Sequence, residues 1–216
     1  MASDTPTIDS DAVNAYVEGY VPEDDTLAAA RRRGDQLGAA PVSPGAGAAL
    51  RFLATALQAK AVVEVGTGAG VSGLYLLRGM APDGVLTSID VDPEPQGVAK
   101  RVFSGAGVAP GRTRLIMGRA LDVLPRLTEE AYDLLFVDGA KSEYPGYHEH
   151  GVRLLRPGGV IAFGGVLWSG HVTNPTRRDA ETVALRDVAR NVRDDDRLVP
   201  VLLSLGDGLL LAAKAR

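Results

Sequence analysis

Along this chain, short apolar runs alternate with stretches in which apolar residues recur every three or four positions. The runs Ala61–Val65, Val85–Asp90, Thr113–Met117, Asp133–Asp138 and Val160–Phe163 read as buried strands. Between them, helical periodicity predicts helices over about Val71–Arg78, Pro93–Ser104, Leu121–Thr128 and Tyr144–Leu155, with Asp92-Pro93 as a cap and first-turn proline. Strands this apolar, each followed by a helix, predict a doubly wound, mostly parallel α/β sheet buried on both faces. The end of the chain breaks the alternation. A helix around Ala180–Val192 leads to two strand-like runs, Val199–Leu205 and Gly208–Ala213, joined by Gly206-Asp207. That predicts a tight hairpin and an antiparallel last strand.

Ahead of the alternating region, cap residues followed by Val13, Tyr16, Val17 and Tyr20 on one face predict an amphipathic helix over 7–20, stopped at Val21-Pro22. A second helix is expected from about Asp25 to Leu37, and a third from Ser43-Pro44 to about Gln58. Residues 1–40 then form a helical arm rather than a separate domain, and residues 41–216 the domain proper. With little core of its own, the arm packs either on the sheet's helices or on another subunit. The run Arg31-Arg32-Arg33 reads as a solvated helix face.

Composition narrows the chemistry. The 216 residues are 45% hydrophobic, enough for one well-cored domain, and carry a net charge of −4, which argues against nucleic acid as a partner. With no cysteine there is no disulfide, thiolate zinc site or cysteine nucleophile. No apolar run is long enough to span a bilayer, and Met1-Ala-Ser-Asp-Thr-Pro6 lacks the pattern of a signal peptide, so a cytoplasmic setting without membrane partners is expected.

The chemistry is expected around Val62–Ser72. An apolar strand containing Glu64 runs into Gly66-Thr67-Gly68-Ala69-Gly70, and a helix begins. Such a turn lets bare backbone approach a ligand in front of a helix N-terminus. Gly68–Gly73 also fits the dinucleotide pattern G-x-G-x-x-G, so a nicotinamide cofactor competes with S-adenosylmethionine. A carboxylate at Glu64 would repel a pyrophosphate but suits an ammonium. Asp90, ending the next strand, can grip ribose hydroxyls of either cofactor. The antiparallel terminal hairpin is unusual for a dinucleotide fold.

Taken together, Val63–Ser72, Ile89-Asp-Val-Asp-Pro93, Gly118–Pro125, Phe136-Val-Asp-Gly-Ala-Lys141 and Leu155-Arg-Pro-Gly-Gly159 resemble the class I methyltransferases, and within them the catechol and caffeoyl-CoA O-methyltransferase group and its bacterial relatives. The similarity runs over nearly the whole chain, from Val42-Ser-Pro44 to Leu205–Leu211. It implies a seven-stranded Rossmann-like methyltransferase sheet, S-adenosylmethionine as cofactor, a homodimer, and a small hydroxylated, aromatic acceptor. It further implies that Glu64 meets the methionine amino group, that Gly66, Thr67, Gly68 and Ser72 line the methionine and ribose part, and that Val42 closes over the methionine end. Asp90 would hold the ribose, Val91 would lie against the adenine, and Gly118, Arg119 and Ala120 would edge it, although the family usually carries an acid or small polar residue where Arg119 stands. Asp138, at the edge of the cofactor site, would with Lys141 form the catalytic pair; the family's lysine is the general base.

In that family the aspartate is one of three oxygen ligands of a magnesium-type ion, and an Asp-Asn pair before Val-Leu-Trp supplies the other two. Here Val166-Leu167-Trp168 follows Gly164-Gly165, which have no side-chain oxygen. Magnesium wants about six oxygens in near-octahedral order, so no metal is expected. Asp138 can then pair with Lys141 instead. His171 reads as a solvated loop histidine or an alternative base, His148 and His150 suit surface or helix-packing roles, and Trp168 can wall the acceptor cleft or fill a gap under the loop. The alternative to an O-methyltransferase is a degenerate protein that binds S-adenosylmethionine or S-adenosylhomocysteine without catalysis.

Overall fold

The computed structural model describes residues 9–215. The start of the predicted first helix, Thr7-Ile8, and the Met1–Pro6 stretch lie outside them. Three helices come first: α1 (Ser10–Gly19), α2 (Asp25–Gln36) and α3 (Pro44–Ala56). The alternating region follows as β1 (Ala61–Val65), α4 (Val71–Gly79), β2 (Val85–Asp90), α5 (Pro93–Gly105), β3 (Thr113–Met117), α6 (Ala120–Val123), β4 (Tyr132–Val137), α7 (Tyr144–Leu154) and β5 (Leu155–Gly164). The chain ends with α8 (Ala180–Asp194), β6 (Leu198–Leu203) and β7 (Leu209–Lys214).

The strand order is β3-β2-β1-β4-β5-β7-β6, parallel from β3 to β5, with β7 antiparallel to both its neighbours. This is the doubly wound sheet with an antiparallel last strand that the apolar pattern predicts. Strand order reverses direction between β1 and β4, and such a switch point opens a crevice at the carboxyl ends of the strands.

Alternation along β1 sorts the core into two layers. Val63 and Val65 face the cluster under α7 and α8, with Leu135, Tyr144 and Phe163. Val62 faces the cluster under α3 and α4, with Leu50, Leu74 and Phe136. Glu64, two residues from Val62, shares that second face and is fully buried.

Two local expectations change. The predicted helix over 121–128 is a single α-helical turn followed by a 3₁₀ turn at Leu124–Arg126, because Pro125 cannot donate to a continuing helix. The terminal hairpin is not a two-residue turn at Gly206-Asp207: residues 204–208 form a longer loop with Gly206 and Gly208 at φ +52° and +92°. That loop is tied to the segment after β5, since Asp207 accepts Leu167 N–H through its carbonyl (2.9 Å) and Ser169 N–H through its carboxylate (2.6 Å).

Candidate active site

The crevice holds three adjoining cavities. The first, of about 280 Å³, is bounded by Val42, Gly66, Thr67, Gly68, Ser72, Asp90 and Asp138. The second, about 310 Å³, shares Gly66, Asp90 and Val91 with it and runs along Gly118, Arg119 and Ala120. The third, about 320 Å³, shares Val42 and Asp138 with the first and adds Lys141, Gly165 and Trp168. Every cofactor and catalytic residue expected from sequence lines this trough except Glu64 and the alternative base His171.

The trough is shaped by backbone conformations that only glycine adopts without strain. Gly66 sits at φ +93°, and a Cβ there would lie 2.4 Å from the backbone carbonyl oxygen of Asp138. The turn after β1 and the turn after β4 can therefore touch. Gly68 N–H donates to Asp90 Oδ2 (2.8 Å) and Asp92 N–H to Asp90 Oδ1 (3.0 Å), which fixes the Asp90 carboxylate at the junction of the first two cavities. Gly70 precedes α4 at φ +88° with no side-chain cap, so the helix presents free N–H groups beside Ser72.

Glu64 stands behind the wall rather than on it. Its carboxylate accepts from Ser72 Oγ (2.6 Å) and Ser88 Oγ (2.5 Å), and Ser88 in turn meets Thr67 Oγ1 at 2.7 Å. Burial pushes the Glu64 carboxyl up to about 7 against the opposing pull of the two serine hydroxyls, and the nearby Asp90 and Asp138 add to the rise. Glu64, expected to meet the methionine amino group, is linked to the cavity lining here through Ser72.

Val42 is held from outside the trough. Arg31 donates from Nη1 to the Val42 carbonyl (2.6 Å) and from Nε and Nη2 to Glu23 (2.9 and 2.6 Å), while Tyr75 Oη donates to the same Glu23 (3.0 Å). This corrects the solvated reading of Arg31, whose guanidinium is largely covered. The signal was present in the helical phase, since Arg31 falls on the face of the buried Leu27, Ala30 and Gly34.

At the other end, Arg119 pairs with Glu143 (2.8 Å), and Tyr147 Oη donates to Glu143 (2.6 Å). These two hydrogen bonds hold the Glu143 carboxyl below its usual range. Glu143 and Tyr147, which sequence reasoning did not single out for function, line the cavity of Arg119.

On the acceptor side, Lys141 Nζ donates to Asp138 Oδ1 (2.6 Å), Tyr144 Oη (2.5 Å) and the Gly164 carbonyl (3.2 Å). Tyr144 is fully buried and passes its own proton to the Gly164 carbonyl (2.8 Å). Lys141 and Asp138, expected as the catalytic pair, are brought together here as an ion pair.

A magnesium-type ion does not fit here. The carboxylates of the third cavity are Asp138 and Asp207; Lys141 Nζ already bonds to Asp138, and Asp207 is taken by Ser169 N–H. Among the described residues no three His, Cys, Asp or Glu side chains are grouped to hold a metal. His171 does not line the cavity; its Nε2 meets Arg177 at 3.1 Å and its ring lies edge-on to Trp168 at 6.4 Å. His148 is buried, with Nε2 3.4 Å from Asp195, and burial lowers its imidazole.

The O-methyltransferase family matches residues 21–215. A protein of Mycolicibacterium vanbaalenii, provisionally named an O-methyltransferase, is 54% identical over 205 residues, covering 95% of this chain and 91% of its own. The crystal structure of a Corynebacterium glutamicum protein superposes with a TM-score of 0.88 at 31% identity, over 95% of this chain and 97% of that one. An O-methyltransferase of Streptomyces achromogenes involved in tomaymycin synthesis, solved in complex with S-adenosylmethionine, gives a TM-score of 0.85 at 28% identity, over 97% and 100%.

Proposed function

We propose, from the premise that this chain belongs to the O-methyltransferase family and uses S-adenosylmethionine, that its acceptor is a small hydroxylated aromatic compound and that it works in the cytoplasm without a divalent metal. The observation that carries the reading is the junction at Val42 and Asp138, where a cofactor-shaped trough opens into a cavity with an ion pair at its floor and Trp168 on its wall.

When bound, S-adenosylmethionine supplies an electrophilic methyl group on a sulfonium. The residues of this chain take the rest of the work. Ser72, Asp138 and the Val42 backbone surround the methionine end. Asp90, fixed by two N–H donors, takes the ribose hydroxyls. Val91 and Gly118–Ala120 border the adenine, and Glu64 orients Ser72 from behind. Asp138 and Lys141 meet the acceptor. Transfer then requires alignment and exclusion of water, and orientation of this kind can supply about 7–11 kcal/mol of barrier reduction in favourable cases.

The test is methylation of single phenols, catechols and flavonoid-like acceptors, with chelator and with magnesium, alongside calorimetry with S-adenosylhomocysteine. Turnover that chelator leaves intact and magnesium does not raise is the expected result. Cofactor binding with no turnover on any hydroxylated aromatic would favour a binding protein without catalysis.

A further inference from the structure

We propose that Glu143, held by Arg119 and Tyr147 in the second cavity, accepts the 6-amino group of the cofactor's adenine and so selects 6-amino purines. The inference rests on the reading that S-adenosylmethionine lies along the trough with its ribose on Asp90.

Asp90 divides the trough. From its carboxylate one branch leads past Ser72 to Val42 and Asp138, where the methionine end meets the acceptor cavity. The other branch is the cavity of about 310 Å³ along Gly118. A nucleoside seated by its ribose on Asp90, with its methionine in the first branch, sends its base into the second. The lining there is mostly apolar or bare backbone, with Ile89, Val91, Ala120 and Ala140 among it. Such walls suit the faces of a flat ring and leave its edge unread.

Four side chains of this cavity carry polar atoms: Asp90, Arg119, Glu143 and Tyr147. Asp90 is fixed at the ribose end by the N–H groups of Gly68 and Asp92. Arg119 can only donate, and Tyr147 Oη gives its proton to Glu143. The side-chain acceptor left for an amino group is the Glu143 carboxylate.

That carboxylate is fixed on three sides. Glu143 N–H closes the turn after β4 on the Ala140 carbonyl (3.0 Å), and α7 begins at the next residue. Oε1 receives Arg119 Nη2 (2.8 Å), and Oε2 receives Tyr147 Oη (2.6 Å). A carboxylate offers about four lone-pair directions, so each oxygen keeps one for a further N–H. Tyr147 and Arg119 also hold the carboxyl below its usual range, which keeps it ionised at neutral pH and able only to accept. Glu143 is thus the contact, and Arg119 and Tyr147 are its positioning residues. An amino group supplies a donor to this acceptor. A bare C–H in the same place leaves a partly covered carboxylate without one, and that loss is the source of selectivity.

The test compares two ligands by calorimetry: S-adenosylhomocysteine, and its analogue with unsubstituted purine in place of adenine, which lacks only the amino group. Wild type should bind the adenine compound about tenfold or more tightly, as a hydrogen bond to a charged group allows. Glu143→Ala should remove that preference by weakening the adenine compound and not the purine one. Glu143→Gln, which retains an acceptor oxygen, should keep part of it, and Arg119→Met should lower it with Glu143 still present. Thermal unfolding checks that each variant folds. An unaltered preference in Glu143→Ala overturns the proposal, and so does equal weakening of both ligands, which is what a merely structural role would give. Equal binding of the two ligands by wild type also overturns it and leaves the cofactor reading intact. A wild type that binds neither removes the cofactor reading, and the inference falls with it.

Discussion

At the scale of single residues, the two strand-end acids have different fates for a reason written in β1. Strand alternation puts Glu64 on the face of Val62, and the helix after the glycine turn covers that face, so a Cβ at Gly73 would lie 3.2 Å from Glu64 Oε2. The identity of the acid was legible; its covering was also legible, had the alternation been carried through. A carboxyl raised from 4.5 to about 7 keeps its proton in the folded protein while the unfolded chain loses it. Stability from this group is therefore fully present below the unfolded value and declines as pH rises to about 7, by about 3 kcal/mol in all. Glu64→Gln should remove that decline, so the unfolding free energies of wild type and variant, measured in denaturant between pH 4.5 and 7.5 without cofactor, should diverge by about that amount in favour of the variant. Parallel curves would show that Glu64 is ionised throughout. Gly66→Ala tests the contact between the two turns: a methyl 2.4 Å from the Asp138 carbonyl, on a left-handed backbone, should cost about 3 kcal/mol and abolish S-adenosylhomocysteine binding, read by thermal unfolding and calorimetry. Gly164-Gly165 made the Asp138–Lys141 pair legible; what no pattern could disclose is that Lys141 also reaches Tyr144 and the Gly164 carbonyl, which depends on a side-chain rotamer.

At the scale of elements, strand and helix positions follow the apolar periodicity closely, whereas the connections between them are set by contacts distant in sequence. The hairpin loop is the clearest instance. Gly206 N–H donates to Glu18 of α1 (2.9 Å), which also receives Ser43 Oγ (3.0 Å) and Gly45 N–H (2.6 Å) at the start of α3. A two-residue turn could not reach these partners. Ser43 and Gly206 both line the acceptor cavity, so one carboxylate of the arm ties together two of its edges. Glu18→Ala should release both edges, lowering stability by about 1–3 kcal/mol. Kinetics should separate the sides of the site: KM for the acceptor rises several-fold, while affinity for S-adenosylhomocysteine, whose cavity Glu18 does not touch, stays the same. An equal loss on both sides would show that α1 supports the whole trough rather than its acceptor end.

At the scale of the molecule, α1 poses a physical problem that a second copy of the chain would solve. The helix has ten residues and buries none of them, yet isolated helices shorter than about 12–15 residues are marginal in water. Its apolar stripe, expected from the sequence as a packing face, turns to solvent: Tyr16 and Tyr20 are 72% and 73% exposed, their rings 6.3 Å apart, with Val13, Val17 and Val21 beside them. Which surface covers such a stripe is not written in one chain's periodicity, which marks a face as apolar without naming its partner. The charges of Glu18 secure α1 to α3 and the hairpin but leave the stripe uncovered. A twofold dimer would bury it on both protomers at once, each aromatic or aliphatic side chain contributing about 1.5–3 kcal/mol when fully removed from water. We therefore expect a homodimer in sedimentation equilibrium, with α1 in its interface. Tyr16→Ser combined with Tyr20→Ser should shift it to monomer while cofactor binding, whose cavities neither tyrosine lines, persists. A wild-type monomer at micromolar concentration, or a dimer indifferent to both substitutions, would place the role of α1 in the acceptor site alone.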